Sequence, residues 1–155
     1  MASMPFKNVC VVVDGSDASI AATNLAVEVA KASMANLTAV AVIDTETLKM
    51  LLTSNILVDE EVKELEEDLA ASNGRYLERA VQTARKAGQR IETVLLRGSF
   101  HSSILTEAHK RNFDLIVIGF SPLGSTRRDL MSHERELILN NVTSPVLLVK
   151  ASKAP

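Results

Sequence analysis

Short apolar runs rich in β-branched residues recur along the chain, and they constrain its fold more than any other feature. A continuous apolar run of about four to seven residues is typical of a strand that is buried on both faces, as in a parallel sheet covered by helices. A strand with one exposed face would instead alternate apolar and polar residues. The runs without a charged residue lie at 9–13, 37–43, 115–118 and 146–149.

Helical patterns occupy the segments between these runs. Ser16 and Asp17 are candidate N-cap residues for the first helix, and Gly88 marks the end of the longest one. The segment 45–58 is apolar without a clear period and is expected to form a short helix plus a loop. The first expected helix follows the N-cap candidates and continues to about 32, and the others lie around 62–84, 102–111 and 133–141. A further strand is expected at 91–96 and a polar loop at 120–129.

This alternation of strands and helices predicts an α/β fold. The expected architecture is a five-stranded, doubly wound parallel sheet of Rossmann-like type, with helices on both faces. A chain of 155 residues, 46% hydrophobic and 23% charged, has the size and composition of one folded domain. We therefore expect a single domain over 1–155, with its core at about 6–150.

Composition excludes several classes of function. The net charge of −2, with four Phe, one Tyr and no Trp, argues against nucleic-acid binding, which needs basic patches and stacking platforms. No apolar stretch is long enough for a signal peptide or a membrane span, so no membrane partner is expected. The single cysteine, Cys10, rules out a disulfide within the chain. These features favour a cytoplasmic protein.

Candidate binding residues follow the ends of the predicted strands. In an open parallel sheet, ligands bind beyond the carboxyl ends of the strands, where the strand order reverses. Three segments meet this condition, and they lie at 14–16, 42–44 and 119–133. In the last of them, a glycine, a polar loop and a helix start follow one another, which is a combination suited to binding an anion.

Motifs along the chain carry a family resemblance. They are the strand end Val-Val-Val-Asp-Gly-Ser at 11–16, Val-Ile-Asp at 42–44, Arg-Gly at 97–98, Phe-Asp-Leu-Ile-Val-Ile-Gly at 113–119 and Ser-Pro-Val-Leu-Leu-Val at 144–149. In this order and at these spacings, the chain resembles the universal stress proteins over nearly its whole length. The resemblance implies a five-stranded α/β fold that often binds adenine nucleotides and usually forms homodimers.

The resemblance also assigns roles to particular residues. Asp14 and Val42 would line the adenosine pocket, and Gly15, the neighbour of Asp14, is a further candidate for the same pocket. The family's phosphate loop reads Gly, two residues, Gly, nine residues, Gly, and then Ser or Thr. Its four positions fall on Gly119, Pro122, Ser132 and His133, so only the first position is retained.

These departures weaken the expected phosphate site. Pro122 has no N–H to donate to a phosphate, and Ser132 adds a side chain where the backbone would approach the ligand. Each lost charge-assisted hydrogen bond costs about 1.5–3 kcal/mol. Alternatively, Arg127 and Arg128 replace the lost donors in a rearranged cradle, or they are simply solvated loop residues. ATP or AMP with magnesium is thus expected at weak affinity, and no cofactor is assigned firmly.

Two functions remain open at this point. The first is a non-catalytic regulatory or stress-response module with a degraded adenine-nucleotide site. The second is a genuine ATP-binding stress protein that uses a rearranged loop between Gly119 and His133, with slow ATPase activity. An enzyme of a related nucleotide-dependent superfamily ranks last, because Asp-Gly-Ser-Asp at 14–17 does not match the serine-glycine-glycine loop of such ligases.

Catalytic and metal sites are not expected. Leu123 stands where a nucleophile elbow needs its second glycine, and the chain contains no Walker A pattern. The three histidines do not cluster at metal-ligand spacing. The acidic run that begins at Asp59 is typical of a helix N-terminus and its solvated face.

A homodimer is the expected assembly. If the last apolar run, which begins at Val146 and ends at Val149, forms a strand at the edge of the sheet, its unpaired backbone would pair with a second copy.

Overall fold

The computed structural model describes residues 5–120 and 126–151. Strands and helices alternate in this part of the chain, except that two helices, α2 and α3, lie between β2 and β3. They are β1 (Asn8–Val12), α1 (Asp17–Ser33), β2 (Asn36–Asp44), α2 (Thr45–Thr53), α3 (Asp59–Lys86), β3 (Glu92–Gly98), α4 (Phe100–Arg111), β4 (Leu115–Phe120), α5 (Thr126–Asn141) and β5 (Val146–Lys150).

The five strands form one parallel sheet with the order β3-β2-β1-β4-β5. Strand β1 is central, and its Val9 lies opposite Leu37 of β2 and Leu115 of β4. This arrangement confirms the predicted doubly wound α/β fold.

Each face of the sheet has its own apolar core, which explains the continuous apolar runs. On one face, Val9 and Val11 pack with side chains of α1 and α3. On the other face, Cys10 and Val12 pack with side chains of α4 and α5. Because alternate residues of a strand point to opposite faces, both sets must be apolar.

The start of α1 follows from its first residues. Ser16 is the N-cap, and its hydroxyl oxygen accepts a hydrogen bond from the Ser19 amide at 3.1 Å. Asp17 lies in the first turn, where a negative charge is favourable. The helix ends at Met34, which has a left-handed conformation. Of the two N-cap candidates, the structure selects Ser16.

The first part of α5 differs from the sequence prediction. The polar loop expected at 120–129 is wrong at Phe120, which ends β4, and at 126–129, because α5 begins at Thr126 and not near His133. The rest of that loop, 121–125, lies outside the described residues. The apolar periodicity that indicates a helix is missing from 126–129. Arginine nevertheless has a high helix propensity, which favours a helix there without an apolar stripe. The segment 45–58 forms a short helix, α2, followed by a turn at 54–58, as expected from the sequence. The Asp44 carboxylate caps the start of α2.

No helix in the described ranges, 5–120 and 126–151, has the length and apolar character needed to cross a membrane.

Candidate functional site

The strand order reverses at the carboxyl ends of β1 and β4. These two strands are neighbours, yet β1 leads into α1 on one face of the sheet and β4 leads into α5 on the other face. A crevice beyond the sheet opens at such a point. Three candidates lie along this edge: Asp14 follows β1, Val42 is near the end of β2, and Gly119 is near the end of β4.

The turn after β1 is built around the Asp14 carboxylate. Its Oδ1 atom accepts hydrogen bonds from the Ser16 amide at 3.0 Å and from the Ser16 hydroxyl at 2.6 Å. The Asp14 amide donates to the Ser19 hydroxyl oxygen at 3.0 Å. Asp side chains stabilise turns in this way. Asp14 therefore organises the start of α1, whatever its part in ligand binding.

Gly15 is required in this turn for two reasons. Its φ of +81° lies in the left-handed region, where side chains are disfavoured. A Cβ atom at this position would also lie 2.4 Å from Cζ of Tyr76, on α3. The aromatic ring thus packs directly against the backbone of the turn.

Gly119 has a packing role that the sequence pattern does not reveal. A Cβ atom on Gly119 would lie 2.5 Å from the carbonyl carbon of Ala18 and 2.7 Å from the amide nitrogen of Ser19. Both are backbone atoms in the first turn of α1. Glycine at position 119 therefore lets β4 and α1 approach closely, independently of any phosphate.

Val42 lies on the α4–α5 face of the sheet, whereas Gly119 contacts α1 on the other face. It is half-buried, pairs with Leu96 of β3, and packs against the core on the α4–α5 face. Its remaining exposed surface is apolar, as expected of a residue that lines a pocket for a base or a sugar.

Arg135 is a residue of this edge that the sequence analysis missed. Its guanidinium carbon lies 4.5 Å from the ring centroid of Phe120, the last residue of β4. Only 9% of Arg135 is exposed, and this burial lowers its pKa from the ordinary arginine value. The cation–π contact holds α5 against the end of β4. The two residues are fifteen positions apart in the chain, and no sequence pattern links them.

The remaining candidates from the proposed phosphate loop lie on α5. Arg127 and Arg128 are in its first turn, and Ser132 and His133 follow in its second turn, both exposed. In an α-helix, the amide of each residue donates to the carbonyl four residues earlier. The amides of Ser132 and His133 therefore donate hydrogen bonds to carbonyl groups within α5. Pro122 lies outside the described residues.

A second contact holds α5 against α4. The His101 ring Nδ1 lies 2.7 Å from Glu134 Oε2, and the His101 amide donates to the same oxygen at 2.9 Å. Ser99, the N-cap of α4, lies 3.3 Å from the same ring nitrogen. Because His101 and Glu134 are 33 residues apart, only the tertiary structure places them together.

The chemistry of this edge suits binding. Asp14 offers a carboxylate and Val42 an apolar surface, and the N-terminus of α5 follows β4 by only a short segment. Within 5–120 and 126–151, no three His, Cys, Asp or Glu side chains are grouped so as to hold a metal ion.

Comparison with known proteins identifies the family. A model of the universal stress protein family matches residues 5–150. The chain belongs to the universal stress protein family. A relative from Staphylococcus aureus strain USA300 is 36% identical over 151 residues, which cover 97% of this chain and 87% of that protein.

Solved structures of universal stress proteins share the fold. UspA from Lactobacillus plantarum is 24% identical, with a TM-score of 0.74 over 93% of this chain and 97% of that one. A universal stress protein from Archaeoglobus fulgidus, solved in complex with dAMP, is 20% identical, with a TM-score of 0.62 over 95% of this chain and all of that one.

Proposed function

We propose that this universal stress protein is a non-catalytic regulatory module of the stress response, with a degraded adenine-nucleotide site at the carboxyl edge of β1 and β4. We place it in the cytoplasm and treat residues 1–155 as one domain, which the family match over 5–150 supports. The observation that carries the proposal is the helical state of Ser132 and His133.

The reasoning concerns backbone donors. A phosphate cradle needs N–H groups that have no other partner, as in a loop or in the first turn of a helix. Ser132 and His133 occupy the family's third and fourth phosphate-loop positions, and their amides are bonded within α5. Losing even one charge-assisted hydrogen bond, worth about 1.5–3 kcal/mol, weakens binding by tenfold or more.

A second candidate is a genuine ATP- or AMP-binding protein, with slow ATPase activity when ATP is the ligand. It is favoured by the position of Arg127 and Arg128 in the first turn of α5, where the helix dipole also attracts anions. The dAMP complex of the Archaeoglobus fulgidus relative makes an adenine nucleotide the ligand to test first. Under this alternative, Asp14 and Val42 would contact the nucleoside.

Isothermal titration of ATP with magnesium, and of AMP, distinguishes the two candidates. No heat up to millimolar nucleotide, with an unchanged melting temperature, supports the degraded site. Saturable micromolar binding that is lost in the double variant Arg127→Ala and Arg128→Ala supports the second candidate. Arg90→Ala is the matched control, because this exposed arginine precedes β3 at the opposite edge of the sheet.

Asp14 needs a more careful substitution, because it also organises the turn before α1. Asp14→Asn keeps an oxygen that accepts from Ser16 but removes the negative charge. If Asp14 contacts a nucleoside through its charge, Asp14→Asn should weaken nucleotide binding while the melting temperature changes little. Equal binding by the wild type and Asp14→Asn argues against that role.

We also propose a homodimer formed through β5. This strand is at one edge of the sheet, and its Leu148 is 41% exposed. An edge strand with unpaired backbone groups and apolar neighbours favours pairing with a second copy.

Sedimentation or light scattering at tens of micromolar tests the dimer. The wild type should be dimeric, and Leu148→Lys should be monomeric. Leu95→Lys is the matched control, because Leu95 is 38% exposed on β3, the strand at the opposite edge. A monomeric wild type, or a dimer lost only in Leu95→Lys, contradicts the proposed interface.

A further inference from the structure

The turn between α2 and α3 exposes large apolar side chains. Met50 on α2, and Ile56 and Val58 in the turn, are 58%, 66% and 62% exposed. We call these three residues the apolar tip. They fall within nine consecutive residues, whereas Leu57 between the last two is half-buried and turned toward the protein.

Hydrogen bonds fix the backbone of the apolar tip. Asn55 has a left-handed φ of 55°, and its amide donates to the Leu52 carbonyl at 3.1 Å. The Ile56 amide donates to the Leu51 carbonyl at 3.0 Å. This pair of bonds is the Schellman motif, which ends helices in a defined geometry. The apolar side chains therefore project from an ordered turn.

Val58 occupies a position where an apolar residue is costly. It is the N-cap of α3, and its side chain makes no capping hydrogen bond. Ser, Thr, Asp and Asn are strongly preferred there, and replacing them by an apolar residue costs about 0.5–2 kcal/mol. Glu61 accepts from the Val58 amide at 3.1 Å, which satisfies only that amide. The Val58 side chain therefore neither caps α3 nor is buried in the core.

An acidic stripe on α3 begins two residues after the apolar tip. Glu60, Glu64 and Asp68 are exposed and spaced four residues apart, so they lie on one face of the helix. Helix-terminus electrostatics favour Glu60, but Glu64 and Asp68 lie beyond the first turn. Like charges at this spacing repel each other. The segment 44–68 carries nine acidic and two basic residues in a chain whose net charge is only −2.

We propose that the apolar tip and the acidic stripe together dock a basic, amphipathic helix of a partner protein. The apolar tip would contact the apolar face of that helix, and its Lys and Arg residues would pair with Glu60, Glu64 and Asp68. Pairing with cations relieves the repulsion along the acidic stripe, and docking removes the exposed apolar side chains from water. The proposed surface involves no residue of the candidate nucleotide site.

A fluorescein-labelled, 18-residue Leu/Lys peptide with helical periodicity is the probe. Fluorescence anisotropy should show saturable one-to-one binding that weakens as salt is raised. A Leu/Glu peptide of the same pattern, and a scrambled Leu/Lys peptide, should bind at least tenfold more weakly. Amide chemical-shift changes on peptide binding should concentrate at residues 50–68.

The decisive variants leave the fold intact. Val58→Ser supplies a better N-cap, so the melting temperature should rise or stay unchanged while peptide affinity falls at least fivefold. The triple variant Glu60→Gln, Glu64→Gln and Asp68→Asn should abolish the salt dependence. Met34→Ser is the control, because it removes another exposed apolar side chain, 81% exposed, at the end of α1.

Several results would overturn the proposal. They are absent or non-saturable binding, equal binding of the Leu/Glu or scrambled peptide, unchanged affinity in Val58→Ser, and shift changes outside 50–68. If Val58→Ser changes the mass of the protein in sedimentation, the occupant of the surface is a second copy of this chain, and the partner-helix proposal is wrong.

Discussion

Replacing Gly119 by alanine tests whether this glycine serves the fold or only a phosphate. The added Cβ atom would lie 2.5–2.7 Å from backbone atoms of Ala18 and Ser19. Backbone atoms in the first turn of α1 cannot rotate away, so the helix or β4 must shift. We therefore expect Gly119→Ala to destabilise the protein without any ligand present.

The magnitude follows from the geometry. Overpacking one carbon atom into a close contact costs about 1–3 kcal/mol. Gly119 has no left-handed φ, so backbone strain adds nothing to this cost. A change of 1 kcal/mol moves the melting temperature of a chain of this length by roughly 2–4 °C. The expected decrease is therefore between about 2 and 12 °C.

Urea unfolding of the nucleotide-free protein measures this effect, with all variants at one protein concentration because a dimer's stability depends on it. Gly74→Ala is the matched control. It makes the same substitution within α3, where a Cβ atom would have nothing within 4 Å. Because alanine is the better helix former, the control should gain about 0.5–1 kcal/mol.

The reasoning is refuted if Gly119→Ala unfolds at the wild-type urea midpoint. Position 119 would then tolerate a side chain, and a need for glycine there would come from ligand binding alone.

Two further predictions concern Gly15 and Cys10. Gly15→Ala should destabilise the protein by about 2–5 kcal/mol, because it adds both left-handed backbone strain and a close contact with Tyr76. In a Tyr76→Leu background, only the backbone strain of about 1–2 kcal/mol should remain. Strictly additive effects of the two substitutions in urea unfolding would exclude the contact. Burial raises the pKa of the Cys10 thiol, so alkylation of the native protein at pH 8 should be slow and limited by the rate of unfolding. The free energy of unfolding should decrease as the pH rises above about 8.5, because the thiol ionises in the unfolded chain but not in the folded one. Rapid alkylation of the native protein contradicts this prediction.

The sequence by itself determined the architecture of this protein. Runs such as 9–13 have no polar face, and only a sheet covered on both sides buries them. Helix capping is equally local, since Ser16 acts on an amide three residues away. The family motifs also indicate Asp14, Val42 and Gly119, which lie along one edge of the sheet.

The tertiary structure alone decided how that edge is built. The close approach of Gly119 to α1 and the contact of Arg135 with Phe120 join parts of the chain that are distant in sequence. The contact of the His101 ring with the Glu134 carboxylate is another such contact. Periodicity records only whether a position is apolar, so it cannot report which element packs against it. The same limit applies to the start of α5, which the sequence pattern does not indicate, whereas Arg135 and Glu134 attach this helix to β4 and α4.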